Sequence, residues 1–424
     1  MQPQDGDEYY SCEWVEGGVA FNRRSLHTCL IVHHDTGLPL ISDYQGGAFP
    51  LEKVLAVRQR IREANRDGGH PACKGCAHLK KRAWPRPTHA IHIVGIAHYS
   101  HCNIKCSYCF LQTQGPASFA AGFRPYALLP VLRGLIADGH LAPGAIIDWG
   151  GGEPTVYKEF DELLELLLAH GTFHYLHTNG TRLPEAVRRA PDPARVHVIC
   201  SVDAGRPETY LLLKKRDYLE RVWANLEEYV RLGVRVTLKY IVKEENCADA
   251  ELEAFLARAV RSGAPELIVD IDYDFPHPAP EVITALARLK HRALRAGMHA
   301  RYGFTGDNFA NEHQVAARVQ AAFQAEQLAA LAAFLKGRSY HPGECADLAV
   351  EALVSTLEQH CARKDEEILA KEEEIHRQHG QVVILRQEVQ RREDDLRRMQ
   401  RPGRLARLLL AALWDKLTFR RAGA

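Results

Sequence analysis

Three closely spaced cysteines carry the clearest chemical signal in the sequence. Cys102, Cys106 and Cys109 lie in the stretch HYSHCNIKCSYCF with the spacing C-x3-C-x2-C. Cysteine thiolates bind iron–sulfur clusters, and three of them leave one iron of a cubane open to another ligand. The alternative is a zinc site with His101 as a further ligand, because zinc accepts both thiolate and imidazole. The spacing favours a [4Fe–4S] cluster with one open iron.

The elements that must position these cysteines alternate between strands and helices. Short apolar runs separated by amphipathic helical patterns are typical of parallel βα units. Residues 89–300 contain six such units, which predict an α/β fold with a partial (β/α)6 barrel. The cysteines directly follow the first strand, at the end where barrels of this kind carry their chemistry. The six predicted strands are 90–97, 145–149, 173–178, 195–202, 234–242 and 266–273.

Glycine-rich or polar motifs follow the next three strands. The second strand leads into Gly150-Gly151-Gly152-Glu153-Pro154, the third into Thr178-Asn179-Gly180, and the fourth into Ser201-Val202-Asp203. Taken singly, each motif would indicate only a turn or the end of a strand. Because parallel strands end at one edge of a sheet, we expect all three motifs to lie near the cysteines.

With these motifs in this order, residues 89–275 resemble the radical S-adenosylmethionine (SAM) superfamily. The signature of that family is C-x3-C-x2-C with an aromatic residue before the last cysteine. The resemblance implies that the backbone and carboxylate of the GGE motif bind the methionine amine of SAM. It implies further cofactor contacts from the strands that follow. The residues that it assigns to cofactor binding are Tyr108, Gly151, Gly152, Glu153, Asn179, Ser201 and Asp203.

The resemblance also implies a reaction. The open iron of the [4Fe–4S] cluster binds SAM, and the reduced cluster passes one electron to the sulfonium. The resulting 5′-deoxyadenosyl radical takes a hydrogen atom from the substrate. The cofactors carry this chemistry, while the protein orients them and excludes water. We expect the electron to come from a donor such as flavodoxin or ferredoxin.

Four further cysteines precede the predicted barrel. Cys12, Cys29, Cys73 and Cys76 lie within residues 1–88, and four thiolates are enough to close a second [4Fe–4S] cluster or a zinc site. The surrounding sequence resembles the auxiliary-cluster extensions called SPASM and twitch domains, which in the family follow the barrel. We therefore predict a twitch-like segment with an auxiliary iron–sulfur cluster. Structural zinc and no metal are the alternatives.

Charged side chains on the later strands predict a polar lumen. Asp270, Asp272 and Asp274 share one face of the sixth strand, and Thr237 and Lys239 share one face of the fifth. Carboxylates are costly in a dry interior, so we expect them in a polar lumen or at its mouth. Such a lumen predicts a sugar, a nucleotide-sugar or a related polar substrate. Ordinary ion pairing among barrel residues is the alternative.

Two reaction outcomes fit a hydroxyl-rich substrate. Hydrogen abstraction followed by electron transfer to an auxiliary cluster would be an oxidation, whereas return of hydrogen from a thiol to the opposite face would be an epimerisation. Cys247 follows the fifth strand, but an isolated loop cysteine is more often a bystander. A peptide-modifying radical SAM maturase and a non-catalytic coiled-coil scaffold are the alternative functions.

The C-terminal part is highly charged and predicts helices. Residues 301–350 are predicted as a helical extension. Over 351–400, apolar residues recur at intervals of seven, which predicts a coiled coil and a homo-oligomer, with a single docked helix as the alternative. Residues 401–424 predict a basic amphipathic helix with Trp414, which suits a membrane surface, a partner protein or a dimer.

The composition is that of an ordinary globular protein. Of the 424 residues, 46% are hydrophobic and 25% are charged, and the net charge of +1 supplies no field that would attract nucleic acid. The first residues lack the basic and apolar regions of a secretory signal. No uncharged apolar run approaches the ~18–20 residues of a transmembrane helix. We expect a cytoplasmic enzyme, with the last helix allowing peripheral membrane contact.

Overall fold

Strands and helices alternate along most of the chain, as the apolar runs predict. The computed structural model describes residues 8–29, 40–66, 69–71, 73, 76, 78–84, 89–109, 126–272, 278–303 and 312–337.

The strands form one ten-stranded sheet and one two-stranded sheet. Their bounds are β1 Glu8–Ser11, β2 Gly18–Asn22, β3 Ser25–His27, β4 Leu40–Asp43, β5 Lys80–Ala83, β6 Ile91–Ala97, β7 Leu141–Trp149, β8 Phe173–Thr178, β9 Val196–Ser201, β10 Arg235–Val242, β11 Glu266–Ile271 and β12 His299–Tyr302.

The α-helices mostly follow the strands of the large sheet. Their bounds are α1 Glu13–Gly17, α2 Leu51–Asn65, α3 Leu129–Ala137, α4 Phe160–Ala169, α5 Glu185–Arg188, α6 Pro207–Lys214, α7 Leu219–Arg231, α8 Asp249–Ser262, α9 Pro280–Arg295 and α10 Glu312–Gly337.

The large sheet has the order β12-β11-β10-β9-β8-β7-β6-β2-β3-β4. Each strand from β6 to β12 is parallel to its neighbour, and β2 is parallel to β6 on the other side. The six predicted strands correspond to β6 through β11. The predicted α/β fold with a partial radical SAM barrel is therefore confirmed, and the parallel arrangement is longer than predicted at both ends.

The two additional parallel strands cross the predicted domain boundaries. β2 pairs with β6 from Gly18 opposite Ile93 to Asn22 opposite Ala97, so the sheet extends into the segment 1–88 that was predicted as separate. β12 runs past residue 300. Both strands are short: β2 is buried along most of its length and does not alternate, and the four residues of β12 are too few for their alternation to predict a strand. They are held by pairing to a longer neighbour, which the local sequence does not reveal.

The hydrophobic core lies between the sheet and its helices. Along β8 the side chains of His174, Leu176 and Thr178 are buried, while Phe173 and Tyr175 face the open side of the sheet. The helices bury one face each, because their apolar residues recur every three or four positions. This packing fixes the strands, so that the loops at their carboxyl ends have a rigid base.

Contacts divide the chain into two units, Met1–Ala333 and Phe334–Ala424, and all twelve strands belong to the first. α10 falls within the predicted helical extension 301–350. The predicted coiled coil at 351–400 and the predicted basic helix at 401–424 lie outside the described residues. Among the helices of the described ranges, none has both the length and the apolar character needed to cross a membrane.

Candidate active site

The carboxyl ends of the parallel strands meet at one edge of the sheet, as the motifs predict. The loop after β6 carries the cysteine triplet, the loop after β7 carries the glycine motif, and the ends of β8 and β9 carry Asn179 and Asp203. This edge is where open parallel sheets place their ligand sites.

The cysteine loop is joined to the glycine loop by backbone hydrogen bonds. The Gly152 amide donates to the Tyr99 carbonyl at 2.8 Å, and the Glu153 amide donates to the His101 carbonyl at 2.8 Å. Gly151 has a φ of +86°, and a β-carbon there would lie 2.5 Å from the Tyr99 oxygen. The two loops therefore approach so closely that the motif requires glycine.

The Glu153 carboxylate is buried and surrounded by donors of the chain itself. One oxygen accepts from the Thr155 hydroxyl at 2.6 Å and the Thr178 hydroxyl at 2.7 Å, and the other accepts from the Asn179 amide at 2.7 Å. Burial raises the pKa of Glu153, and these hydrogen bonds lower it. The sequence assigned this carboxylate to the SAM amine. These hydrogen bonds tie the glycine loop to β8, and the predicted contact to SAM stays a prediction.

The three thiols of the signature lie close together on their loop. Burial raises the pKa of Cys102 to about 11, and the neighbouring Cys106 thiol contributes to the increase. Burial also raises the pKa of Cys106, and the neighbouring Cys109 thiol again contributes. The side-chain Nδ2 of Asn179 donates to the Cys102 sulfur at 3.7 Å and to the Asn103 side-chain oxygen at 2.8 Å. Asn179 thus contacts the cluster loop directly.

The donor set of the cysteine loop consists of three thiols, and thiolates are the ligands of iron–sulfur clusters. In a cubane each cysteine binds a different iron, so its ligands need not surround one point. In the part of the chain that the structure describes, no three His, Cys, Asp or Glu side chains are placed to bind one metal ion. Zinc with His101 as a further ligand stays the alternative.

Tyr108 and Asp203 belong to a buried ionic cluster that also contains Lys214. The Lys214 ammonium donates to Asp203 Oδ2 at 2.5 Å and to the Tyr108 hydroxyl at 2.6 Å, and Tyr108 donates to the same carboxylate. The other Asp203 oxygen accepts from the Ile241 amide at 2.6 Å. Both carboxylate oxygens of Asp203 therefore accept hydrogen bonds from the chain itself, and its predicted contact to SAM stays a prediction.

The end of α6 holds the cysteine loop from the side. The Lys105 amide donates to the Lys214 carbonyl at 3.1 Å, and the Ser107 amide donates to the Leu213 carbonyl at 2.8 Å. Sequence reasoning missed Lys214, because two adjacent lysines at the end of a helix are typical of a solvated surface. No local signal in LLLKKR distinguishes the buried lysine from the exposed one.

The predicted lumen charges are paired in the structure. Lys239 lies 2.7 Å from Asp270, and Lys243 forms an ion pair with Asp272. Ser201, at the end of β9, is half-buried next to Lys239 in the sheet register. Asp274 lies outside the described residues.

The N-terminal cysteines are partly brought together. Cys12 and Cys73 pack in one buried cluster, and Cys76 follows within the same turn. Cys29 follows β3 and is half-buried, and its predicted role as a metal ligand stays a prediction. The nine cysteines in the described ranges are thiols rather than disulfides.

Fold and site together define a parallel α/β domain with three cysteine thiols on the loop at the carboxyl edge of its sheet. The family model of the radical SAM superfamily matches residues 96–256. A GTP 3′,8-cyclase of Nautilia profundicola is 28% identical over 167 residues, which cover 39% of this chain and 51% of that protein. An Fe-coproporphyrin III synthase of Methanosarcina barkeri is 24% identical over 149 residues, which cover 35% and 36%.

A crystal structure of Streptococcus suis SuiB bound to S-adenosylmethionine is similar at 13% identity and a TM-score of 0.39, covering 60% of this chain and 56% of that one. The chain spans about half the length of the cyclase and about a third of the length of the synthase. It contains a radical SAM domain, and the resemblance read from its motifs is confirmed. The cofactors of that family are a [4Fe–4S] cluster and SAM, and the triplet of thiols fits the cluster.

Proposed function

We propose that this protein cleaves SAM reductively at the carboxyl edge of its sheet and abstracts hydrogen from a polar substrate held in the lumen. The observation that carries the proposal is the loop of three cysteines, which backbone hydrogen bonds join to the glycine motif on one side and to α6 on the other. When bound, the cluster and SAM supply the radical chemistry. The chain's own part is to hold, orient and shield them.

Each residue of the edge has a part in that task. Cys102, Cys106 and Cys109 would hold the cluster, and the backbone of Gly151 and Gly152 would face the methionine end of SAM. The buried hydrogen bonds around Glu153 and Asp203 fix these groups before SAM binds. Pre-organised donors cost no reorganisation during the reaction. An electron donor such as flavodoxin or ferredoxin would deliver the electron.

The polar substrate is supported by the lumen and by a neighbouring cavity. A cavity of about 110 Å³ opens at the carboxyl ends of β10 and β11, and Lys243, Glu244 and Asp272 line it together with apolar Ile271 and Val282. Together with the Lys239 pair, these groups suit a ligand with several hydroxyl or phosphate oxygens. A sugar or nucleotide-sugar would meet this requirement, with oxidation or epimerisation as the outcome.

A nucleotide is the second candidate, because several curated relatives are named GTP 3′,8-cyclases. Those names include no sugar oxidation or epimerisation. A nucleotide and a nucleotide-sugar share the chemistry that the lumen offers. A peptide substrate, the alternative considered from the sequence, has no comparable support in the charges of the lumen.

The test is an anaerobic assay of the reconstituted, reduced full chain with SAM. Free nucleotides, nucleotide-sugars and peptides are added separately, and 5′-deoxyadenosine is quantified by mass spectrometry. Deuterium transferred from a labelled compound into 5′-deoxyadenosine identifies the substrate. We expect slow formation of 5′-deoxyadenosine without any substrate, and a marked increase in its rate of formation with a nucleotide or nucleotide-sugar. No 5′-deoxyadenosine from a chain with a reducible cluster would contradict the radical reaction, and stimulation only by peptides would contradict the polar metabolite.

A further inference from the structure

The middle cysteine of the signature, Cys106, is held against the last turn of α6. The amide of the residue before it donates to the Lys214 carbonyl at 3.1 Å, and the amide of the residue after it donates to the Leu213 carbonyl at 2.8 Å. Because these two hydrogen bonds lie on either side of Cys106, the last residue of α6 is its neighbour in space. A charge on Lys214 therefore acts at short range on the Cys106 sulfur.

The Lys214 ammonium is buried beneath the same loop. Its side chain is 2% exposed and that of its partner Asp203 is 0% exposed. The Nζ atom donates to the Tyr108 hydroxyl at 2.6 Å and lies 5.2 Å from the centre of the Tyr108 ring. Tyr108 lies between Cys106 and Cys109 in the sequence. The positive charge is therefore fixed beside two of the three thiols, where solvent ions screen it little.

A second ammonium contacts the same tyrosine ring from the end of β10. The Nζ atom of Lys243 lies 5.2 Å from the centre of the Tyr108 ring, which is within the range of a cation–π contact. Lys243 also forms an ion pair with Asp272, and its side chain is only 8% exposed. Two cations from different elements of the fold thus meet at the residue that precedes the last cysteine of the signature.

The ion pair of Lys214 and Asp203 is not electrically balanced at the cysteine loop. Burial raises the pKa of Cys106, the Lys214 ammonium lowers it, and Asp203 raises it by less than Lys214 lowers it. The pair therefore presents its positive end to the sulfur. Reduction adds one negative charge to an iron–sulfur cluster, and a nearby positive charge stabilises the reduced form. The charge around a cluster is one of the factors that set its reduction potential.

We propose that the ammonium groups of Lys214 and Lys243 raise the reduction potential of the cluster on the cysteine loop, while Asp203 lowers it and holds Lys214 in place. The inference rests on the proposed function, because it requires that cluster on this loop. Both lysines act on the cluster through space and are not ligands. A side chain that only supported the loop would not make the potential depend on the sign of its charge.

The test is a redox titration of the full, reconstituted chain followed by electron paramagnetic resonance, without SAM. The signal that is followed is the one absent from Cys106→Ala. At a fixed potential, Lys214→Met should lower the ratio of reduced to oxidised cluster about tenfold, a shift of about 59 mV to a more negative midpoint for a one-electron couple. Lys215→Met changes the adjacent, exposed lysine and should keep the parental midpoint. A parental midpoint in Lys214→Met would overturn the proposal.

The sign of the shift separates charge from packing. Asp203→Asn removes the negative partner and keeps a side chain of similar size, so the midpoint should move to a more positive value. If Lys214→Met and Asp203→Asn shift the midpoint in the same direction, loosened packing explains both shifts and the proposal is overturned.

Lys243→Met is the milder variant, and it decides the matter if Lys214→Met does not retain iron. It should shift the midpoint to a more negative value, by less than Lys214→Met, because Lys243 reaches the loop only at the Tyr108 ring. Parental midpoints in both Lys243→Met and Asp203→Asn would overturn the proposal. If the parental chain itself gives no signal that Cys106→Ala removes, the proposed function fails, and that outcome is distinct from a signal with an unshifted midpoint.

Discussion

The two sets of cysteines differ in how the fold brings them together. Cys102, Cys106 and Cys109 lie on one loop, and backbone hydrogen bonds join that loop to the glycine motif and to α6. Cys12 meets Cys73 only because β1 pairs with β5 and α2 packs beside both. The first set is local and the second is assembled by tertiary structure.

A short sequence motif determines which cysteines are neighbours in the first set, whereas tertiary structure determines it in the second. On the cysteine loop, spacing determines which residues are neighbours, and buried polar groups beneath the loop fix its path. In the N-terminal segment, neighbours are set by strand register and by the amphipathic face of α2. Substitutions of the buried polar groups beneath the cysteine loop should therefore affect the first set most. Substitutions in the packing of α2 should affect the second set most.

The largest expected effect comes from removing one ligand of the local set. Cys106→Ala should abolish 5′-deoxyadenosine formation, because the cluster that accepts the electron cannot be held by two thiolates. The measurement is the amount of 5′-deoxyadenosine, quantified by mass spectrometry, that the reduced, reconstituted chain forms from SAM. Ser107→Ala changes the adjacent, exposed side chain and should retain the activity. Activity in Cys106→Ala would mean that the triplet is not the site of SAM cleavage.

Loss of the ion pair beneath the loop should have the next largest effect. Lys214→Met leaves the Asp203 carboxylate buried without its cation, which typically costs about 3–5 kcal/mol. The free energy of unfolding from chemical denaturation should fall by that order, and a chelator should remove iron from the SAM-binding cluster faster. Lys215→Met alters the neighbouring exposed lysine and provides the control. Equal stability of the two variants would show that the loop does not depend on the buried pair.

Glu153→Gln tests the connection between the glycine loop and β8. The NH2 group of glutamine would replace one carboxylate oxygen and face another donor, so we expect the free energy of unfolding to fall by about 2 kcal/mol. SAM binding should weaken while the iron content stays at the parental level. Equilibrium binding and iron analysis give the two readouts, with the exposed Glu162→Gln as the control. Parental SAM affinity would argue that the glycine backbone is positioned without this carboxylate.

The smallest expected effect concerns the sheet beneath the local site. His174 is buried, and its Nδ1 accepts from the Trp149 indole at 3.0 Å while its Nε2 bonds the Thr172 hydroxyl at 2.9 Å. Burial lowers the pKa of His174 to about 3, far below its usual value of 6.5. Below pH 6.5 the unfolded chain therefore binds a proton at His174, whereas the folded chain does not. The stabilising contribution is complete above pH 6.5 and is lost as the pH falls toward 3.

Between pH 6.5 and pH 5 the protonation of this histidine should lower the free energy of unfolding by about 2 kcal/mol. Chemical denaturation at a series of pH values measures how steeply the free energy of unfolding changes with pH. His174→Asn keeps an acceptor near the indole and should reduce the slope below pH 6.5. An unchanged slope would show that His174 does not remain neutral in the folded chain.

The sequence predicts the central strands of the sheet, whereas the roles of the site residues that it names stay predictions. Six parallel strands and the order of their motifs follow from apolar periodicity, because long, regular strands carry strong patterns. β2 and β12 were missed because they depend on a neighbour for pairing. Lys214 was missed because burial of one lysine is decided by the packing of α6.

The most direct measurement of the central claim is electron paramagnetic resonance of the reduced full chain with and without SAM. The account predicts a [4Fe–4S]+ signal that disappears in Cys106→Ala and that shifts when SAM is added, because three cysteine ligands leave one iron of that cluster open. If SAM does not shift that signal, or shifts a signal that remains in Cys106→Ala, the assignment of the SAM site to Cys102, Cys106 and Cys109 is contradicted.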